Sequence, residues 1–217
     1  MFLTRATGMP ISEILAPDAA YAAALDGFVA DNVPARGMGG LLQSYAAVRQ
    51  MPYFSGPDRT PLAALRSGRG ACTAKHIILR DVLRRIGARA EVEIVEGDFA
   101  SGIPLHSTQS PALQAMIQQG GITDFHCRVR LLQVEGDLLL DATWPTELAC
   151  HGFKVNREWT GKGDTIQAIS VVIVRSRVED VLREKARLLA GLGAEMTARR
   201  QDFLRLLSGW LAELSPV

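Results

Sequence analysis

The sequence predicts an α+β fold in which a helix headed by a cysteine packs on an antiparallel sheet, with helical segments at both ends. Three observations predict it. Helical periodicity dominates up to Gly87 and returns after Val178, while most of the β-type alternation lies between. Two glycines, Gly68 and Gly70, lead straight into Cys72 and a helical run. Two apolar stretches flank Glu135-Gly136-Asp137, which is turn chemistry. Helices and strands therefore segregate along the chain, which favours α+β over an alternating parallel fold.

Taken in order, residues 1–16 form an entry segment. Pro17-Asp18 opens a helix through Tyr21, Leu25, Phe28 and Val29 to about Asn32, and Pro34 stops it. Gly37 to Gly40 reads as a loop, followed by a helix from Leu41 to Gln50 with an apolar face of Leu41, Leu42, Tyr45 and Val48. The prolines and Gly56 of residues 52–61 make a loop, and Pro61 starts a short helix to Arg66. Behind Cys72, Leu79, Val82, Leu83 and Ile86 recur at helical spacing until Gly87. Arg89 to Glu96 alternates Val92 and Ile94 with Glu91 and Glu93, a strand with one wet face. A long loop from Gly97 to Pro111 precedes a helix over residues 112–119. Residues 124–143 read as a hairpin, residues 146–166 as irregular, and residues 168–174 as a buried strand. From Val178 to Leu214 the pattern gives two helices or one bent at Gly191–Gly193. The division expected is a main domain of residues 1–175 and a helical extension, residues 176–217, packed on it.

Composition narrows the function. The chain has 217 residues and is 47% hydrophobic, enough for a sizeable core. A net charge of +1 argues against nucleic acid or an anionic membrane as the main partner. Cys72, Cys127 and Cys150 are an odd number without metal-like spacing, so neither a disulfide framework nor a metal or cofactor site is expected. Without a basic leader or a run of about 18 apolar residues, the expectation is a cytoplasmic protein that crosses no membrane.

Cys72 falls in the first turn of its helix, where unpaired backbone N–H groups and the positive end of the macrodipole favour thiolate over thiol. The plain alternative is a small buried residue packing a core helix. A thiolate catalyst needs a base. His126 heads the first hairpin arm in Asp124-Phe125-His126-Cys127, and Asp141 ends the second. Nucleophile, base and orienting carboxylate form the logic of an activated nucleophile. His126 and Asp141 are an odd number of positions apart, so they share a sheet face only if the turn holds an even number of residues. A two-residue Glu135-Gly136 turn meets that condition but pairs Asp141 with Arg130, so a longer turn or a bulge is needed. His76, one helical turn after Cys72, is a rival base, better read as a packing or supporting residue. His106 and His151 lie in irregular segments. Cys127 alternates to the face opposite His126 and reads as core.

Gly-x-Cys at a helix start, the following Ile86-Gly87-Ala88-Arg89-Ala90-Glu91-Val92, and then His126 and Asp141 together resemble the transglutaminase-like superfamily of papain-like cysteine enzymes. The match covers roughly residues 40–145, and bacterial members of unassigned role fit it better than characterised enzymes. The resemblance implies Cys72 as nucleophile, His126 as base and Asp141 as orienter. It also implies a papain-like core and a peptide, amide or small acyl substrate. The family's upstream oxyanion donor has no clear counterpart; Gln43, Tyr45 and Gln50 are the candidates. Lys75-His76 and Cys127 also depart from the usual pattern.

The function expected is therefore thiol-dependent acyl transfer or amide hydrolysis through Cys72, His126 and Asp141. The alternative is a non-catalytic module that keeps the fold for binding or structure. A weaker third reading is an acyl-CoA-dependent acetyltransferase.

Overall fold

The computed structural model describes residues 16–214, so most of the entry segment read over residues 1–16 lies outside them. Helices α1 (Ala16–Asn32), α2 (Gly37–Gln50) and α3 (Pro61–Ser67) precede α4 (Cys72–Arg85). The strands β1 (Arg89–Asp98), β2 (Thr123–Leu132), β3 (Leu138–Leu140) and β4 (Ser170–Arg177) follow, with α5 (Pro111–Gln119) between β1 and β2. Two helices, α6 (Val181–Ala190) and α7 (Ala194–Leu214), close the described chain. The four strands form one antiparallel sheet in the order β3-β2-β1-β4. The fold is α+β.

α2 begins four residues earlier than the glycines suggested. A Cβ at Gly40 would lie 2.7 Å from the Ala35 carbonyl oxygen and 3.3 Å from Ile86, so glycine here permits close packing rather than a loop. The Gln43 side chain also accepts the Ala35 N–H at 2.9 Å, tying the turn before α2 to its second turn. α4 starts without a side-chain cap on Ala71. Gly70 instead joins a short parallel bridge to Tyr53: its N–H donates to the Pro52 carbonyl at 3.0 Å and its carbonyl accepts from Phe54 at 3.2 Å. This bridge fixes the chain entering the cysteine helix.

Two apolar clusters meet at the tip of α4. The first fills the space between α1–α4 and the sheet, with Leu25, Val48, Ile78, Val82, Ile94, Cys127, Val129 and Leu140. The second joins Val95, Phe99, Leu113, Ile122, Trp144, Phe203, Leu207 and Trp210. Ala74 belongs to the first and Ala71 to the second, so Cys72 lies at the junction. Residues 176–214 contribute to both: Val181 of α6 enters the first cluster and Phe203 of α7 the second.

The wet face read for β1 is partly dry. Glu93 is buried, gripped by Arg128 at 2.7 Å and Arg177 at 2.8 Å. Burial would raise its pKa, but the two guanidiniums overcome this and lower it. The β2–β3 turn is longer than two residues. Asp137 accepts the Gln133 N–H at 3.3 Å and the Arg130 guanidinium at 2.7 Å, and the ladder pairs Arg130 with Leu139. The pairing with Asp141 that a two-residue turn required is therefore not formed.

Candidate active site

The turn length decides the geometry around His126. Continuing the β2–β3 ladder past Leu140 sets Asp141 level with Arg128, on the same face as His126 and diagonal to it. No bulge is needed between these arms. The diagonal gap is closed by side chains: the His126 Nε2–H donates to Asp141 Oδ2 at 2.8 Å.

Asp141 is held from several sides. Oδ1 accepts the Thr143 N–H at 3.0 Å and the Thr143 hydroxyl at 2.6 Å, while Oδ2 also accepts the Ala168 N–H at 2.8 Å. Its own N–H donates to Thr165 Oγ1 at 2.6 Å, and the Tyr45 hydroxyl donates to its carbonyl at 3.1 Å. Burial opposes the charge, but His126 and, after it, His76, whose Nε2 lies 3.5 Å from Oδ1, hold the carboxyl well below its usual range.

His126 is buried between Phe99, stacked at 6.3 Å, and His76, edge-on at 5.6 Å. Its Nδ1 is buried without a hydrogen-bond partner. Burial pushes the ring toward neutrality, but Asp141 and the Cys72 thiolate raise its pKa to about 10. Nε2 is committed to the carboxylate, which leaves Nδ1 as the free nitrogen of the ring.

Cys72 is 2% exposed and sits at the first position of α4. Its pKa is held well below the ordinary thiol value. The neighbouring Cys127 thiol is the largest cause; Lys185 and His126 add to it, and burial opposes it. Lys185, from α6, places Nζ 3.6 Å from the Cys72 sulfur and donates to Thr73 Oγ1 at 2.9 Å. Cys72, Asp124 and Cys127 raise the Lys185 pKa against the effect of burial. Sequence reasoning missed this lysine. The available signal was a lysine on the apolar stripe of α6, spaced with Val181, Leu188 and Leu189.

His76 is not placed as a base for Cys72. Its Nδ1–H donates to the Cys72 carbonyl at 2.7 Å, and its Nε2 accepts the Ala142 N–H at 2.9 Å. Both nitrogens are used to tie α4 to the end of β3. His106 and His151 meet each other at 3.5 Å beneath Trp210, in a separate group. The oxyanion candidates are otherwise engaged: Gln43 caps Ala35, Tyr45 bonds the Asp141 carbonyl, and Gln50 accepts from Thr146. Arg200, from α7, pairs with buried Asp124 at 2.6 Å.

The site is closed. His126 is 1% exposed and Asp141 5%. A hollow of about 190 Å³ lined by Phe54, Arg69, Ala71 and Ala74 borders the approach to Cys72. Another of about 220 Å³, lined by Trp144, Gln167 and Ala168, borders Asp141. Cys72 and His126 line neither. Among the described residues no group of three histidine, cysteine or carboxylate side chains could hold a metal ion, and no helix is long and apolar enough to cross a membrane. No family model matches the chain, and neither a curated protein nor a solved structure is similar to it.

Proposed function

We propose that the chain is a thiol-dependent acyl-transfer or amide-hydrolysing enzyme with a transglutaminase-like, papain-like core. The observation that carries this reading is a cysteine at a helix tip beside a buried imidazole whose far nitrogen is bonded to a fixed carboxylate. The Cys72 thiolate attacks an ester or amide carbonyl. The developing oxyanion is met by first-turn backbone N–H groups of α4, which have no intrahelical acceptor, and by the Lys185 ammonium. His126 gives its Nδ1 proton to the leaving amine, and the acyl group stays on sulfur. The now neutral ring takes a proton from water or an acceptor amine, which releases the acyl group. Asp141 holds the ring orientation throughout and balances its positive charge. A substrate reaches the sulfur only when the cover formed by α6 and α7 yields, because Lys185 and the Phe203 cluster lie over the site.

A second reading is favoured by the burial of all three groups. In it the chain is a binding or structural module, and the triad is a hydrogen-bonded joint between α4 and the sheet. One experiment separates the two. The full chain is incubated with an activated aryl ester at about pH 6, where an ordinary thiol is almost wholly protonated, and acylated peptides are located by mass spectrometry. The enzyme reading predicts a burst of aryl alcohol and an acyl group on Cys72, both absent in Cys72→Ser. Acylation of exposed Cys150 alone, or of no cysteine, would leave the module reading.

A further inference from the structure

The proposed reaction uses one thiol, yet a second lies beside it. Cys127 is fully buried on β2, and its partner in the β1 ladder is Ile94. The Cys127 thiol donates toward Thr73 Oγ1 at 3.7 Å, and the Cys72 sulfur lies 3.9 Å from the same oxygen. Both cysteines are free, and both belong to well-packed elements, the first turn of α4 and the middle of β2. Lys185 caps the same hydroxyl at 2.9 Å, so two sulfurs, an alcohol and an ammonium share one small polar space. Acyl transfer gives Cys127 no chemical task, and a core position could be filled by alanine or valine. Thiolate character and a neighbouring resolving thiol are the features that set redox-sensing cysteines apart from inert ones.

We propose that Cys72 and Cys127 are a redox pair, in which oxidation of Cys72 by a hydroperoxide is resolved by an internal disulfide that switches the nucleophile off. This rests on the reading of Cys72 as the reactive thiolate. The Cys72 sulfur attacks the outer peroxide oxygen. An S–O bond forms, the O–O bond breaks, and the departing alkoxide or hydroxide takes the Nδ1 proton of His126. Cys72 is now a sulfenic acid, oxidised by two electrons, and the peroxide has been reduced to an alcohol or water. The Cys127 sulfur attacks the Cys72 sulfur. The S–S bond forms as the S–OH bond breaks, and the departing hydroxide takes the Cys127 thiol proton and leaves as water. A dithiol reverses the switch by thiol–disulfide exchange. In the disulfide Cys72 cannot attack a carbonyl and is spared further oxidation to sulfinic acid.

The test uses the full chain with hydrogen peroxide as the probe. Samples are blocked with an alkylating agent, digested without reductant and mapped by mass spectrometry. The expected product is a linked peptide pair containing Cys72 and Cys127, with both thiols restored by dithiothreitol and Cys150 still a free thiol. Cys127→Ser should stop at a sulfenic acid that dimedone traps on Cys72, then proceed to the sulfinic acid. Cys150→Ala should give the wild-type pattern, which keeps the result readable if Cys127→Ser does not fold. Direct passage of wild-type Cys72 to sulfinic acid, a Cys72–Lys185 cross-link, or pairs involving Cys150 would overturn the proposal. If the ester acylates Cys72 while peroxide yields no linked pair, the redox pair falls and the acyl-transfer reading stands. If neither reaction touches Cys72, both fall.

Discussion

Two lysines are buried near the tip of the cysteine helix, one on the helix itself and one reaching in from α6, and they are solvated in opposite ways. Lys75, within α4, is fully buried and donates to three carbonyls: Arg49 at 3.0 Å, Met51 at 2.6 Å and Thr143 at 2.8 Å. Lys185, on α6, has a hydroxyl at 2.9 Å and a sulfur at 3.6 Å. Burial lowers the Lys75 pKa to about 7, with Asp141 and Glu147 opposing, whereas neighbouring anions raise that of Lys185. Three N–H bonds to three carbonyls require the ammonium form, so Lys75 is a staple. It ties α4 to the carbonyl-rich end of α2 and to the segment after Asp141. Lys185 is the counter-charge of a thiolate. The same side chain serves architecture where backbone dipoles surround it and, under the proposed function, reactivity where a titratable anion does.

Breaking the staple should have the largest effect. Lys75→Met leaves three buried carbonyls without donors, and unpaired buried groups cost about 1–3 kcal/mol each. Partial relaxation and the removal of a buried charge offset some of this. A loss of roughly 3 kcal/mol is expected in urea denaturation, a destabilisation that Lys185→Met should not match. Equal losses in the two variants would erase the contrast.

Lys185→Met should act on chemistry. Removing the ammonium 3.6 Å from sulfur raises the Cys72 pKa, so ester acylation at about pH 6 should fall by about tenfold, with recovery at higher pH. Unchanged acylation at both pH values would make Lys185 a packing residue.

The smallest effect is a titration. His126 has a pKa raised from 6.5 to about 10, so its protonated form contributes stability that is complete below about pH 6.5 and fades as pH rises through about 10. Ring resonances of His126 should therefore report an imidazolium through neutral pH. Cys72→Ser removes one of the two anions holding that proton, so the midpoint should move down. A midpoint near 6.5 in the wild type would dissolve the ion pair.

The sequence announced some of this and concealed the rest for identifiable reasons. Gly70 before Cys72 and the helical run behind it marked the cysteine helix, because local backbone freedom and periodicity are short-range signals. The alternation in β1 and the paired runs of β2 and β3 marked the sheet in the same way. The turn between the arms misled, because Asp137 closes a loop from Gln133 and the pairing shifts by two residues, so that Arg130 faces Leu139 rather than Asp141. Lys185 was hidden by distance: it reaches Thr73 across 112 positions, and no local pattern says which lysine on an apolar stripe will meet a sulfur. Gly37 to Gly40 read as a loop by composition, whereas the close approach of the Ala35 carbonyl and of Ile86 makes glycine the residue that fits at position 40 inside a helix. Glu93 read as solvated because its arginine partners come from β2 and β4.

Catalysis by this chain would depend on Cys72 resting as a thiolate beside protonated His126. The most direct test is the ultraviolet thiolate absorbance of the full chain followed against pH, with Cys72→Ala as the blank. The Cys72-dependent signal should already be complete at neutral pH and disappear only well below the ordinary thiol midpoint of about 8.5. A signal that first appears at or above that midpoint would mean that Cys72 is a neutral core residue, and the catalytic reading would be contradicted.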